Sequence, residues 1–241
     1  MHMIPTRDQD PYIAWRPAFP EPTYHRGTTA LLVIDMQYLD AHVDSAMCHK
    51  ISEVGFETTV ADYSSRLALI VPNIRRLQDA FRYAGLEVIH TRIQSMAADG
   101  RDRGISHKKL GHVATPGARD ARILEELAPV GDELVFNKTA GSVFNSTNIE
   151  YVLRNMGIST LIVTGVVTTG CVHTAVTDAA DRGFHVVLVE DGCGALVPEM
   201  HWASIRILRD VYAKILSTDE VIARIQHFDA APHPPSIEHS T

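Results

Sequence analysis

Three residues of this chain carry side chains suited to covalent hydrolysis. Cys171 follows the stretch GVVTTG and opens an amphipathic, helix-like segment. Asp35 closes the apolar run ALLVID, and Lys138 lies in FNKTAGSVF. A cysteine attacks as its thiolate, and a helix N-terminus, with about half a positive charge, favours that form. Gly165 and Gly170 permit sharp backbone geometry and close substrate approach. Free backbone N–H groups at such a turn can bind a developing oxyanion. Asp35 can take the thiol proton and return it to a leaving amine. Lys138 can favour both the carboxylate and the thiolate by charge. Each residue also has a plainer reading, because lone thiols are often inert core residues, strand-end Asp residues often cap helices, and Lys residues there are often solvated. Cys48 and Cys193 lack the setting of Cys171 and read as core.

For the three to meet, their segments must end at one edge of a sheet. The run 30–35 is continuously apolar and rich in branched residues, which suits a strand buried on both faces of a parallel sheet. Similar runs at 86–91, 133–136, 160–164, 184–190 and 214–217 predict further strands. Helical spacing predicts helices over 72–84, 119–128, 148–156, 171–182, 199–212 and 219–226. Pro72 fits a first helical turn and Gly85 a C-terminal stop. Strands alternating with helices imply a parallel sheet covered on both faces. Asp35, Lys138 and Cys171 then lie at carboxyl ends of strands, where open α/β sheets bind ligands. The long connections 36–62 and 92–118 leave the same edge and read as lids.

With 241 residues, 45% apolar and 21% charged, the chain suits one domain with a full core. A net charge of −7 with scattered Arg and Lys gives no case for nucleic acid or an anionic membrane. No apolar run approaches the roughly 20 residues of a spanning helix. The N-terminus, with Asp8, Asp10, Pro11 and Pro17, does not read as a secretory signal. Residues 1–27 read as an irregular arm that packs on a neighbouring surface or stays mobile, and 231–241 as a tail. Three cysteines without CxxC spacing favour reduced thiols and a cytoplasmic location. There is no GxGxxG after the first strand, no Walker A sequence and no GxSxG elbow. None of the thirteen histidines is in HExxH spacing. His107 and His112 lie five apart in a segment that reads as loop and give only a weak metal signal, and His173 faces away from Cys171 on its helix. No metal or cofactor is expected.

LLVIDMQ, FNKTAGSVF and GVVTTGCVHTAVTDAADRGFHVVLVEDGCGA, in this order, resemble the isochorismatase-like cysteine hydrolase superfamily. The match runs through most of residues 29–222, within an expected hydrolase domain at 28–230. The resemblance implies an α/β fold with three α/β/α layers, a six-stranded parallel sheet and an Asp–Lys–Cys triad matching Asp35, Lys138 and Cys171. It also implies a cis peptide at Val166–Val167, with the amides of Val167 and Cys171 aimed at the substrate oxygen, and assembly as a homodimer or homotetramer. HTRIQSMAADG lacks the metal-binding Asp-x-His of the nicotinamidase branch, so no metal is implied. The cysteine argues for amide rather than vinyl ether chemistry. DPY, HTR and EDGCGA resemble biuret and triuret hydrolases and related ureide amidohydrolases. A glutamine of the biuret branch has no counterpart near Val211 and Tyr212, which leaves triuret or another carbamoyl amide open. The expected partner is a small amide or ureide, with Tyr38, His42, Arg92, Phe144 and Asn145 as candidates for the pocket wall. The other readings are an N-carbamoyl amino acid or ureidoacrylate amidase, a nicotinamidase-like amidase, and a catalytically idle scaffold.

Overall fold

The run after Thr28 is apolar at every position because both faces of its strand are covered. In the computed structural model, which describes residues 5–226, this run is β1 (Thr29–Ile34), and all of it is buried. Ala30, Leu32 and Ile34 enter one core, and Leu31 and Val33 enter the other. The chain continues through α1 (Ala46–Glu53), α2 (Glu57–Ala84), β2 (Glu87–Ile93), α3 (Ile105–Leu110), β3 (Leu134–Lys138) and α4 (Ile149–Asn155). It closes with β4 (Thr160–Val166), α5 (His173–Asp181), β5 (His185–Gly194), α6 (Pro198–Leu208), β6 (Lys214–Leu216) and α7 (Thr218–Gln226).

The strands form one six-stranded sheet in the order β3-β2-β1-β4-β5-β6, and every pairing is parallel. Residues of α2 and α7 fill the core on one face. Residues of α4, α5 and α6 fill the other. The fold is therefore the expected α/β arrangement of three layers. Its strand order reverses between β1 and β4, and such a switch point opens a crevice at the carboxyl ends.

The helix expected over 199–212 ends at Leu208, and two others differ more from their sequence-based expectation. The helix expected from Pro72 begins at Glu57, so Pro72 lies inside it. Tyr63, Leu67, Ile70, Ile74, Leu77 and Phe81 are all buried along it. This continuous stripe holds the helix together across the hydrogen bond that Pro72 cannot donate. The helix expected over 119–128 is instead two 3-10 turns, Arg119–Ala121 and Glu125–Leu127. Here the chain pairs with the segment after β1. Tyr38 N donates to Arg122 O at 3.0 Å, and Leu124 N donates to Met36 O at 2.9 Å. Tertiary pairing overrides the helical period.

The N-terminal arm packs against the end of α6. Arg206 forms a two-pronged pair with Asp10 at 2.8 and 2.9 Å, and Arg7 meets Asp210 at 2.9 Å. Ile13 is fully buried. The expected tail at 231–241 lies outside the described residues. Among those residues no helix is long and apolar enough to cross a membrane.

Candidate active site

β1 ends at Ile34, and Asp35 turns sharply away from it with φ 52°, a left-handed conformation that Asp tolerates better than most side chains. The neighbouring buried amide of Gln37 fixes this turn. Its Nε2 donates to Ile93 O at 3.0 Å and to Asp120 O at 2.7 Å, and its Oε1 accepts from Ile93 N. Asp35 N donates to Thr91 O at 3.0 Å, and Thr91 Oγ1 donates to Asp35 Oδ1 at 3.0 Å. One carboxylate oxygen is thereby held, and the other faces Lys138.

Lys138 is the last residue of β3 and is fully buried, as is Asp35. Its Nζ lies 2.8 Å from Asp35 Oδ2. It also donates to Cys171 Sγ at 3.2 Å and to Ala140 O at 3.0 Å. Burial works against the ammonium, but Asp35 and then Cys171 outweigh it and push Lys138 above its ordinary range. It stays charged. Asp35 Oδ2 is thus held by the Lys138 ammonium, on the side of the carboxylate away from Thr91.

Cys171 sits in a turn of π-helix, Thr168–Val172, and the regular helix α5 begins two residues later. The peptide Val166–Val167 ahead of this turn is cis. Gly165 (φ 116°) allows β4 to pass against β1, because a Cβ there would collide with the Ile34 carbonyl. The thiol does not show the lowered pKa expected from a helix N-terminus. Burial pushes it well above the usual range, Lys138 opposes this, and Asp35 and Asp40 add to the rise. The resting sulfur is protonated because the ion pair beside it is already neutral overall, so a thiolate would add net charge to a buried site.

Behind the turn lies a polar chain. Arg66 on α2 places Nη2 3.1 Å from His201 Nε2, and His201 Nδ1 lies 2.9 Å from Thr168 Oγ1. A guanidinium only donates, so Nε2 accepts and Nδ1–H donates to the threonine. Burial, and then Arg66, lower the His201 pKa to about 3, which fixes the neutral ring.

A cavity of about 530 Å³ opens above Cys171. The segment after β1 contributes Asp40, Met47, Lys50 and Ile51 to its wall, and the segment after β2 contributes Ser106, His107, Leu110 and His112. Both long connections thus cover the site, and Lys50 Nζ ties them together by donating to Leu110 O at 2.8 Å.

The five residues expected on the wall are not among those lining this cavity. Arg92 alternates with Thr91 on β2 and points away, to Asn137 Oδ1 at 2.7 Å and Ala121 O at 3.2 Å. Tyr38 lies under the Arg119 guanidinium, 4.5 Å from ring centroid to charge. His42 packs against Tyr38 and accepts from Asp44 N at 3.0 Å. Phe144 packs on Phe184 in the core. Asn145 donates to Asp178 at 2.9 Å. Sequence reasoning misses Asp40, and it reads His107 and His112 only as a weak metal signal, though both are buried on the cavity wall. Asp40 lies in the turn after β1, His107 in the short helix α3 and His112 just after it, and no local period marks them. His173 turns away from the sulfur toward Ser204, at 3.2 Å.

A model of the isochorismatase domain matches residues 29–220, most of the chain. The chain belongs to the isochorismatase domain family. Among curated members, the N-carbamoylsarcosine amidase of Arthrobacter sp is 32% identical over 168 residues, which cover 68% of this chain and 62% of that protein. The ureidoacrylate amidohydrolase of Agrobacterium fabrum is 30% identical over 200 residues, covering 76% of this chain and 83% of the relative. A cysteine hydrolase structure from Pseudomonas syringae pv. phaseolicola superposes with a TM-score of 0.71 at 26% identity, covering 88% of this isochorismatase domain protein and 98% of that chain.

Proposed function

We propose that this protein is an amidohydrolase that cleaves the C–N bond of a small linear amide or ureide, with Cys171 as nucleophile. The observation that carries the reading is the Lys138 ammonium bridging Asp35 and Cys171 at the floor of a covered cavity. The amidase and amidohydrolase names of its relatives support it.

Asp35 Oδ2 removes the thiol proton as sulfur attacks the carbonyl carbon, and Lys138 stabilises the sulfur anion. The C=O electron pair moves to oxygen, which the backbone N–H groups of Val167 and Cys171 receive. Asp35 returns the proton to the departing nitrogen as the C–N bond breaks, leaving a thioester. Asp35, again a carboxylate, deprotonates water, which attacks the thioester and releases the acid and the thiol. The scheme needs no metal or cofactor.

Biuret, triuret, N-carbamoyl amino acids and ureidoacrylate all present the group this scheme requires. The reading also includes a reducing cytoplasmic setting, consistent with free Cys48, Cys171 and Cys193, a hydrolase domain over 28–230 and assembly into homo-oligomers. Ammonia release from biuret, triuret, ureidoacrylate, N-carbamoylsarcosine and nicotinamide tests the reaction class. Cys171→Ser and Asp35→Ala are expected to lower kcat by at least about 10³-fold on any active substrate. Near-normal turnover in either variant would overturn the role given to that residue, and silence of the wild type on every amide would favour a binding role for the cavity.

A further inference from the structure

The polar residues around the cavity above Cys171 keep polar atoms out of it. Asp40 Oδ1, His107 Nδ1 and His112 Nδ1 lie beneath its surface, closed to solvent. The Thr174 hydroxyl turns back to the nucleophile turn and donates to Gly170 O at 3.0 Å. Lys50 is exposed at the rim, where its Nζ donates to Leu110 O. The wall left open to a ligand is almost wholly hydrocarbon. Ile93 at the end of β2, Met47 and Ile51 on α1, and Leu110 on α3 supply much of it. Ile93 pairs in register with Lys138, so this wall begins beside the reacting groups. The volume of about 530 Å³ falls within the roughly 300–1,000 Å³ of sites that enclose whole organic ligands. A ligand of a few atoms confined to the sulfur would leave much of it to water against hydrocarbon.

We infer that the substrate is a primary amide, R–CO–NH2, whose acyl substituent R is apolar, and that Met47, Ile51 and Leu110 select its length. This rests on the amidohydrolase reading and narrows it to a substrate class. Cys171 lines the cavity, whereas Asp35 and Lys138 are fully buried away from it. The nitrogen that leaves toward Asp35 therefore has no space for a substituent, and the other group on the carbonyl faces the open volume. There each methylene gains by leaving water. A second carbamoyl or a carboxylate loses its hydration and finds no partner on such a wall. The reaction is the one given above, R–CO–NH2 and water yielding R–COOH and ammonia.

The test uses pairs that share the reacting amide and the shape of R. One pair is 3-methylbutanamide and malonamide, and the other is 4-methylpentanamide and succinamate. Straight-chain amides from acetamide to heptanamide, N-methyl-3-methylbutanamide and biuret complete the panel. In the wild type, kcat/KM is expected to rise about fourfold for each methylene that becomes buried. Each apolar member of a pair is expected to exceed its polar partner by ~10-fold or more. The N-methyl amide is expected to fall ~100-fold below its parent. Ile51→Ala and, separately, Leu110→Ala are expected to lower kcat/KM for hexanamide by ~5-fold or more, through KM, and to leave acetamide within ~2-fold. Malonamide, succinamate or biuret turned over faster than every alkanamide would overturn the substrate class. Turnover of the N-methyl amide at the rate of its parent would overturn the placement of R on the acyl side. Equal losses on acetamide and hexanamide in both variants would overturn the selection of length by this wall. Absence of Cys171-dependent turnover of any amide or ureide would instead remove the amidohydrolase reading beneath the inference.

Discussion

Lys138 Nζ stands 3.2 Å from Cys171 Sγ, so a buried ammonium rests against a thiol that the same burial keeps protonated. With Asp35 on its other side, Lys138 belongs to a pair that is neutral at rest and separates charge only when sulfur loses its proton. Three predictions about this core of the molecule follow from that arrangement, together with two about the support behind it.

Removing the ammonium alone leaves the Asp35 carboxylate buried and unpaired. Lys138→Met is expected to cost about 3–5 kcal/mol of stability and nearly all turnover. Asp35→Asn together with Lys138→Met is expected to recover most of that stability and none of the activity. Denaturant melts and kcat for the two single variants and the double variant check this. A double variant whose losses simply add would contradict the ion-pair account.

Alkylation reads the thiol directly. An ordinary cysteine has its pKa near 8.5, so its alkylation rate levels off soon above that pH. Burial, and then the nearby carboxylates, raise Cys171 well beyond it. The rate of inactivation by iodoacetamide is therefore expected to keep rising past about pH 9. A plateau below about pH 7 would show instead a thiolate stabilised at rest.

The sequence makes the reacting groups of this site legible and leaves its walls obscure. Asp35, Lys138 and Cys171 sit at strand ends, and strand ends follow from apolar runs that the sequence displays. Their convergence needs only parallel alternation. Wall residues depend on how two lids fold. Arg92 faces away because side chains alternate on a strand and its neighbour Thr91 takes the inward side to reach Asp35. Asp40 and His112 come together only when the chain after β1 and the chain after β2 close over the same cavity. The missed first half of α2 is different. Tyr63, Leu67 and Ile70 already carry its period, and Pro72 alone suggests a boundary there.

His201 supports the nucleophile turn without touching the cavity. His201→Ala is expected to lower kcat by about 10-fold or more and leave KM nearly unchanged, because Thr168 loses the donor that orients its hydroxyl. His201→Gln, which keeps a donor, is expected to recover part of the loss. Equal changes in kcat and KM in both variants would indicate general loosening of the fold.

The same histidine sets an acid limit. Its pKa falls from the ordinary 6.5 to about 3 on folding, so the unfolded chain binds the extra proton first. The contribution of His201 is therefore fully present above about pH 6.5 and is lost as pH falls toward 3. It is on the order of a few kcal/mol. Chemical denaturation between pH 7 and 4 is expected to show a shallower slope for His201→Gln than for the wild type, and identical slopes would contradict a buried neutral imidazole.

The most direct test is to quench turnover of an active amide and measure the mass of the intact protein and of the peptide carrying Cys171. An acyl group on that peptide, absent in Cys171→Ser and discharged by hydroxylamine as a hydroxamate, is the predicted result. Hydrolysis with no adduct, together with an active Cys171→Ser enzyme, would contradict it.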